Sequence, residues 1–202
     1  DLETDCRLFL ERTDTSDMAI DTCVLAQKDY IVGMRRYFHA HPEVSLKEFQ
    51  TSARIEEELD KVGIEHTRVG ETGVYARVVG KKVGEGKTKI VALRADMDAL
   101  GMEDLKNCEY SSQNPGFCHA CGHDGHTATL LAAARILKSM ENDFAGEVRF
   151  FFQQAEEIGQ GARQFVAAGL LEGVDRIYGQ HVTNTLNVGQ VGVAIAPKLG
   201  RQ

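Results

Sequence analysis

The chain has 202 residues, enough for one large domain, and its 43% hydrophobic and 26% charged residues are sufficient for a buried core. Its net charge is −7 at pH 7, which argues against a surface that binds nucleic acid or an anionic membrane, because such a surface needs clustered lysine and arginine. No apolar run reaches the roughly 20 residues of a transmembrane helix, and no secretion signal is visible, so we expect a cytoplasmic protein.

Helical and strand patterns alternate along most of the chain. Residues 1–27 are polar and mixed, which indicates a short helix or a loose arm. Ser45 followed by Glu48 forms a capping-box pattern, which predicts the start of a helix that ends near Gly63. Further helices are predicted over 30–38, 127–140 and 161–171, and strands over 73–80, 89–98, 147–153 and 176–181. The alternation predicts an α/β domain with a mostly parallel sheet flanked by helices.

Side chains of the kinds that bind metals follow three of the predicted strands. These residues are Asp96 and Asp98 after one strand, Glu156 and Glu157 after the next, and His181 at the end of the last. In parallel α/β sheets, binding sites form beyond the carboxyl ends of the strands. A surface strand would not place its polar residues so consistently at one end, so the pattern predicts a functional site at this edge.

The densest group of potential metal ligands lies between Cys118 and His126. The segment CHACGHDGH holds three histidines, two cysteines and one aspartate in nine residues. Thiolate and imidazole groups suit zinc and its first-row neighbours, and Cys121 with His123 is the favoured ligand pair. For His119 and His126, capping of the following helix is an equally good explanation. The spacing of Cys118 and Cys121 also leaves open a thiol redox pair, although an early thioredoxin-like strand–helix–strand unit is lacking.

Glu156 and Glu157 are adjacent at the end of an apolar segment. Neighbours in an extended chain point to opposite sides, so the two carboxylates can have two roles. One can bind a metal ion while the other faces a substrate as a general base. Alone, the pair would indicate a solvated strand end, but Cys121, His123 and His181 are available to complete a metal centre.

Five blocks of sequence resemble one known family. The blocks are HAHPEVS (39–45), LRADMDAL (93–100), HACGHDGHTATLLAAA (119–134), FFQQAEE (151–157) and GQH (179–181). Together they resemble the aminoacylase/carboxypeptidase family of metallopeptidases, in particular its amidohydrolase branch, which includes hippurate hydrolase and the auxin-conjugate hydrolases. The resemblance implies a zinc-peptidase-like catalytic domain that acts on a small N-acyl amino acid or peptide.

The resemblance also implies a role for individual residues. The positions that match metal ligands are Cys121, His123, Glu157 and His181. Glu156 matches the catalytic general base, and Asp96 matches the carboxylate that orients a ligand. The implied cofactor is a pair of divalent ions, with zinc, manganese, cobalt and nickel as candidates. The implied reaction is cleavage of the amide bond by a metal-activated water.

The same resemblance gives a domain layout and leaves alternatives. Residues 28–202 are expected to be the N-terminal part of the catalytic domain, ending before an inserted lid domain. The lid, a homodimer contact through it, and the rest of the catalytic domain would lie outside these residues, so we expect little activity from them alone. A dipeptidase or carboxypeptidase of the same family is the near alternative. The more distant alternatives are a non-catalytic metal-binding module and a redox-active module. The presence of the Glu156 base argues against the non-catalytic module.

Three positions depart from the usual residues of that family. Gly101 and Gln154 stand where proline is usual, which predicts looser turns beside the site. Cys118 stands where methionine is common, and it brings a second thiol near Cys121. We expect a disulfide between these two cysteines to inactivate the enzyme reversibly under mild oxidation.

Overall fold

The computed structural model describes residues 22–84 and 88–192. Its main helices are α1 (Lys28–Ala40), α2 (Phe49–Asp60), α3 (His123–Ser139) and α4 (Gly161–Ala167). Its strands are β1 (Glu65–Val69), β2 (Gly73–Lys81), β3 (Ile90–Asp96), β4 (Ala145–Gln153) and β5 (Arg176–Gly179). The helices and strands predicted from the sequence are confirmed, apart from small shifts in their ends. The predicted arm at 1–27 lies largely outside the described residues, and residues 22–26 of it are helical.

The five strands form one sheet in the order β1-β2-β4-β3-β5. β3 runs parallel to β4 and to β5, whereas β2 pairs antiparallel with β1 and with β4. The α/β class with flanking helices is confirmed, but the sheet is mixed rather than mostly parallel, because β2 runs antiparallel to both of its neighbours. Its parallel part consists of β3, β4 and β5, which are the strands followed by the predicted site residues. Their carboxyl ends therefore meet at one edge of the sheet.

β1 is the strand that the sequence does not predict. In its sequence, EHTRV, only Val69 is buried, so no alternating apolar face is visible. The strand is held instead by antiparallel backbone pairing with β2, from Glu65 opposite Arg77 to Val69 opposite Gly73. Pairing with a neighbour, rather than side-chain pattern, decides the conformation of this edge segment.

Three successive phenylalanines on β4 anchor layers on both faces of the sheet. Phe150 and Phe152 are fully buried in the larger core, against α1, α2 and α3. Phe151 points to the other face, where its ring lies 5.2 Å from that of Phe165 on α4. Successive side chains of a strand point to opposite faces, so one apolar run builds both layers. Burial of each phenylalanine contributes about 1.5–3 kcal/mol to the free energy of unfolding.

The capping box predicted at Ser45 and Glu48 is wrong. α2 begins directly after Glu48, whose side chain forms no cap. The Ser45 hydroxyl instead donates to Oδ2 of Asp98 at 2.6 Å. The buried carboxylate of Glu48 accepts hydrogen bonds from the Thr72 hydroxyl and from the backbone N–H of Ala155. These tertiary partners take precedence over the local cap because unpaired polar groups are costly inside a core.

α3 begins four residues before its predicted start and is the longest of the four helices, at 17 residues. Its first turn therefore contains both His123 and His126, which lie on neighbouring positions of the helix surface. Within the described ranges, neither α3 nor any other helix combines the length and apolarity needed to cross a bilayer.

Candidate metal centre

The predicted metal ligands converge where β3, β4 and β5 end, beside the start of α3. Cys121, His123 and His181 each offer one ligand atom, and these three atoms lie within 4.8 Å of one another. His123, Glu156 and Glu157 form a second group within the same distance. Since His123 belongs to both groups, it stands at the centre of the cluster.

His123 is fully buried and is oriented through Nδ1. This atom lies 2.8 Å from the backbone oxygen of Asp98, which can only accept, so Nδ1 carries the proton. The lone pair of Nε2 then faces the cluster, 3.9 Å from Oε2 of Glu156 and 3.8 Å from Oε1 of Glu157. Neither Nε2 nor this Oε1 has a hydrogen-bond partner in the described part of the chain. Buried polar atoms are seldom unpaired, so both atoms fit a bound cation.

Cys121 and His181 contribute the thiol and the second imidazole. Sγ of Cys121 lies 3.4 Å from Nε2 of His181. Nδ1 of His181 lies 2.6 Å from the backbone oxygen of Val182, so Nε2 is again the unprotonated nitrogen. Burial, followed by the neighbouring Glu157 carboxylate, raises the pKa of Cys121 to about 12. Sulfur and imidazole nitrogen beside carboxylates are the donor types that zinc and its first-row neighbours bind.

Gly122 allows Cys121 and His123 to approach the same point. Its φ of +88° lies in the left-handed region, which residues with a Cβ rarely adopt. A Cβ at this position would also collide with Cγ2 of Val182. The glycine is therefore required both by the backbone turn and by the close contact with the segment that carries His181.

Both glutamates face the cluster, which corrects the expectation that they point to opposite sides. They lie in a turn rather than in extended chain, and the turn follows Ala155, whose φ is +49°. The two side chains differ in exposure, at 39% for Glu156 and 23% for Glu157. Glu157 is thus the more enclosed carboxylate, and Glu156 is the one more accessible from solvent.

The expected loosening of this turn by Gln154 is not seen. The side chain of Gln154 is fully buried. Its amide donates to the backbone oxygen of Val69 at 3.1 Å and to Oε1 of Gln164 at 2.9 Å. Gln154 therefore ties the turn before the glutamates to β1 and α4 through hydrogen bonds that proline could not make.

Asp96 and Asp98 divide the orienting role differently from the prediction. Asp96 accepts a hydrogen bond from Nδ1 of His126 at 2.5 Å, and its Oδ2 lies 3.5 Å from Nε2 of His123. Burial raises the pKa of Asp96, but the His126 hydrogen bond and nearby cationic groups outweigh burial and lower the pKa to about 2. Asp98 holds the Nδ1 atom of His123 and also the backbone N–H of Glu157. The sequence placed Asp98 at the edge of the predicted site, but the family resemblance assigned the orienting role to Asp96.

His126 positions the chain that carries His181. Its Nε2 accepts the backbone N–H of Val182 at 2.9 Å, and its ring centroid lies 4.7 Å from that of His181. No side chain caps the start of α3, so the helix-capping explanation of His119 and His126 is wrong. His119 is buried, and burial lowers its pKa to about 4.

Cys118 belongs to a different group from Cys121. Its ligand atom lies within 4.8 Å of those of His39 and Asp104, while Cys121 faces His181. Both cysteines are free thiols. The geometry therefore gives no support to a redox pair, and inactivation by a disulfide between them stays a prediction.

A cleft of about 380 Å³ opens beside Glu157. Its walls are mostly apolar and come from Val44, Ser45, Ala99, Leu100, Gly101 and Ile158. The cleft thus joins an apolar surface to one of the carboxylates of the cluster.

Comparison with known proteins places this arrangement in a family. Residues 92–196, just over half of the chain, match the profile of peptidase family M20/M25/M40. The N-acyl-L-amino acid amidohydrolase of Geobacillus stearothermophilus is 42% identical over 174 residues, which cover 85% of this chain and 46% of that protein. The IAA-amino acid hydrolase ILR1-like 4 of Arabidopsis thaliana is 46% identical over 172 residues, which cover 85% of this chain and 38% of that protein.

A solved structure agrees with these sequence matches. The Bacillus subtilis YXEP protein, described as a dinuclear metal binding peptidase from the M20 family, superimposes with a TM-score of 0.78 at 40% identity. The match covers 84% of this chain and 47% of that one, so the chain spans less than half the length of these relatives. The profile, the relatives and the fold agree: the chain belongs to peptidase family M20/M25/M40.

Proposed function

We propose that the protein is a metal-dependent amidohydrolase that cleaves the amide bond of N-acyl amino acids. The residues that would hold two divalent ions are Cys121, His123, Glu157 and His181. The observation that carries the proposal is the unpaired Nε2 of His123, buried among two carboxylates, a thiol and a second imidazole. The names of the two similar hydrolases support the amide-bond chemistry, and the dinuclear description of YXEP supports a pair of ions.

In the proposed mechanism, the chain's own groups move the protons and orient the reactants. Bound divalent ions would supply Lewis-acid activation of a water molecule and of the amide carbonyl. Glu156 would take the proton from the attacking water and return it to the leaving amine, since it is the more open carboxylate and lies 3.9 Å from Nε2 of His123. Asp98 would keep His123 and Glu157 in place through its hydrogen bonds to both residues.

The apolar cleft supports an apolar group on the substrate. Val44, Leu100 and Ile158 line it beside Glu157, and its volume of about 380 Å³ lies within the usual range of small-molecule pockets. An acyl chain or an apolar amino-acid side chain would bury its surface there. We therefore infer that N-acyl amino acids with an apolar acyl or side-chain group are the preferred substrates.

A peptidase of the same family is the second candidate function. The YXEP protein is described as a peptidase. Hydrolysis of a peptide bond and of an N-acyl bond is the same amide chemistry, so the same centre would serve both. The two functions differ in the groups that bind on either side of the cleaved bond.

We also propose that residues 28–202 are the N-terminal part of the catalytic domain, with a lid domain and a homodimer contact elsewhere in the whole protein. The coverage of less than half of each relative supports this layout. For that reason, the test uses the full-length gene product.

The first measurement is the metal content of the purified full-length gene product, determined by elemental analysis. The site variants are Cys121→Ala and His181→Ala. Their matched controls are Cys108→Ala, at an exposed cysteine, and His66→Ala, on β1. We expect at least two divalent ions per chain, a reduced content in both site variants and an unchanged content in both controls.

Activity then separates the candidate functions. The wild-type protein is assayed on N-acetyl, N-benzoyl and N-indoleacetyl amino acids and on dipeptides with the same C-terminal residue. Preference for the N-acyl substrates supports the amidohydrolase, and preference for the dipeptides supports the peptidase. A protein without bound metal, whose four variants all behave like the wild type, would contradict both functions.

A further inference from the structure

A second group of side chains of metal-binding type lies apart from the candidate metal centre. It consists of His39 at the end of α1, Asp104 in the segment after β3, and Cys118 in the segment before α3. One ligand atom from each lies within 4.8 Å of the other two, and Nε2 of His39 is 3.3 Å from Oδ2 of Asp104. None of the three is a proposed ligand of the catalytic centre, so this group, called the His39 cluster below, is a separate donor set.

The His39 cluster is enclosed by the protein. His39 is fully buried, Cys118 is 4% exposed, and the Asp104 side chain is also 4% exposed. A carboxylate and an imidazole withdrawn from water require partners that replace their hydration. His39 comes from α1, and Asp104 and Cys118 come from two places in the segment that joins β3 to α3, so an ion shared by them would join α1 to that segment.

His39 is oriented as histidines at metal sites are. Its Nδ1 lies 2.7 Å from Oδ2 of Asp124, and the same oxygen lies 2.9 Å from Nε of Arg35. A carboxylate on one ring nitrogen fixes the ring and directs the other nitrogen at the ligand, which is the usual arrangement around metal-bound histidine. Here the second nitrogen, Nε2, is the one that faces Asp104.

Asp104 is also held in place by groups outside the cluster. Its Oδ2 accepts the backbone N–H of Ser112 at 2.9 Å, and its Oδ1 accepts the backbone N–H of Lys106 at 3.1 Å. A carboxylate has about four acceptor positions, so these two bonds leave others available. The donor position is therefore set before any ion binds.

A positive charge already lies against the His39 cluster. Nζ of Lys106 is 3.4 Å from Nε2 of His39 and 3.6 Å from Oδ1 of Asp104. The Lys106 side chain is 46% exposed, so its ammonium group can move out into solvent. The cluster thus attracts a cation at the position that an ion ligated by His39 and Asp104 would take, and Lys106 is its competitor.

We propose that His39, Asp104 and Cys118 form a second, structural binding site for one divalent ion of the zinc type, with water as the fourth ligand. Imidazole nitrogen, carboxylate oxygen and thiolate sulfur together match the donors of zinc and its first-row neighbours. On binding, the Cys118 thiol releases its proton to solvent and its sulfur bonds to the ion. The competing explanation is a purely internal ion-pair network completed by Lys106.

Cobalt(II) is the probe that distinguishes these explanations, because a cobalt–thiolate bond has its own near-ultraviolet absorption. The full-length gene product is titrated in a Cys121→Ala background, which removes the thiol of the catalytic centre. In this background we expect a thiolate band whose amplitude corresponds to about one cobalt ion per chain. Addition of Cys118→Ser should abolish the band, and the matched addition of Cys108→Ser, at an exposed thiol in the same segment, should leave it intact.

Lys106→Gln provides a test that does not alter the core, since this side chain is half exposed. Removal of the competing charge is expected to tighten cobalt binding about tenfold. Circular dichroism confirms that each variant is folded. The proposal is overturned by a Cys121→Ala protein without a thiolate band, by a band that survives Cys118→Ser, or by unchanged or weaker cobalt binding in Lys106→Gln.

Discussion

The backbone N–H of Glu157 donates a hydrogen bond to Oδ2 of Asp98 at 3.0 Å. Through its own backbone oxygen, Asp98 also accepts Nδ1–H of His123 at 2.8 Å. One residue just beyond β3 therefore sets the position of two proposed ligands, one after β4 and one at the start of α3. Because both ligands depend on it, a change at Asp98 is expected to alter metal binding without removing any ligand atom.

Asp98→Asn tests this dependence. Oδ2 of Asp98 accepts from both Glu157 and Ser45, and Oδ1 lies 3.3 Å from Nδ1 of His123, so an amide must turn its NH₂ group towards a donor. We expect metal affinity to fall about 10–100-fold, as measured by competition with a chelator. The matched control is Asp60→Asn, at an exposed carboxylate on α2. Equal affinities in the two variants would show that Asp98 does not hold the ligands.

Substitution of the two adjacent glutamates is expected to affect different properties of the enzyme. Glu156→Gln keeps the shape of the side chain but removes the proton acceptor, so kcat should fall about 100–10,000-fold with the metal content unchanged. Glu157→Gln removes a charged ligand, so the metal content itself should fall. Steady-state kinetics and elemental analysis of both variants provide the measurement. A Glu156→Gln protein that loses metal and a Glu157→Gln protein that keeps it would reverse the two assigned roles.

Glu48 is expected to make stability depend on pH. Burial raises the pKa of Glu48 above its usual value, although hydrogen bonds from Thr72 and Ala155 oppose the shift. A raised pKa in the folded state means that the contribution of Glu48 to stability is present below about pH 4.3 and is lost as the pH rises through the folded-state value. Glu48→Gln has no such loss, so its stability relative to wild type should increase from pH 4 to pH 8.

Urea unfolding at both pH values measures this difference in the free energy of unfolding. The control is Glu57→Gln on α2, where a hydrogen bond from Lys61 lowers the pKa of the carboxyl group. A lowered pKa reverses the sign, so this variant should lose stability relative to wild type as the pH rises. The same pH trend in both variants would contradict the explanation by burial.

Gly122→Ala is expected to destabilise the start of α3. The backbone φ of +88° costs a residue with a Cβ about 1–2 kcal/mol, and the new methyl group meets Val182. Gly122→Asn should lower the melting temperature less than the size of its side chain alone would suggest, because asparagine tolerates the left-handed region. The control is Gly125→Ala in the same helix, where a Cβ meets nothing within 4 Å. Equal melting temperatures for Gly122→Ala and Gly125→Ala would refute the argument.

Local pattern was sufficient for much of the fold. The apolar run from Phe150 to Phe152 predicted a buried strand, because such side chains are stabilised by removal from water. The helical periodicity of the apolar residues from Tyr30 to Phe38 predicted α1. The capping box failed because the partners of Ser45 and Glu48 are distant in the chain. The periodicity of apolar residues indicates which side of a helix or strand is buried, but it does not indicate which distant residues that side contacts.

The sequence by itself determined the ligand types of the candidate metal centre, since thiol, imidazole and carboxylate chemistry is a property of each residue. It also indicated the edge of the sheet where they meet, because the carboxyl ends of parallel strands share one edge. Only the tertiary structure decided that Asp98 holds the ligands and that both glutamates turn the same way. It alone brought His39 and Asp104 to Cys118, because contacts between segments far apart in sequence arise only when the chain folds.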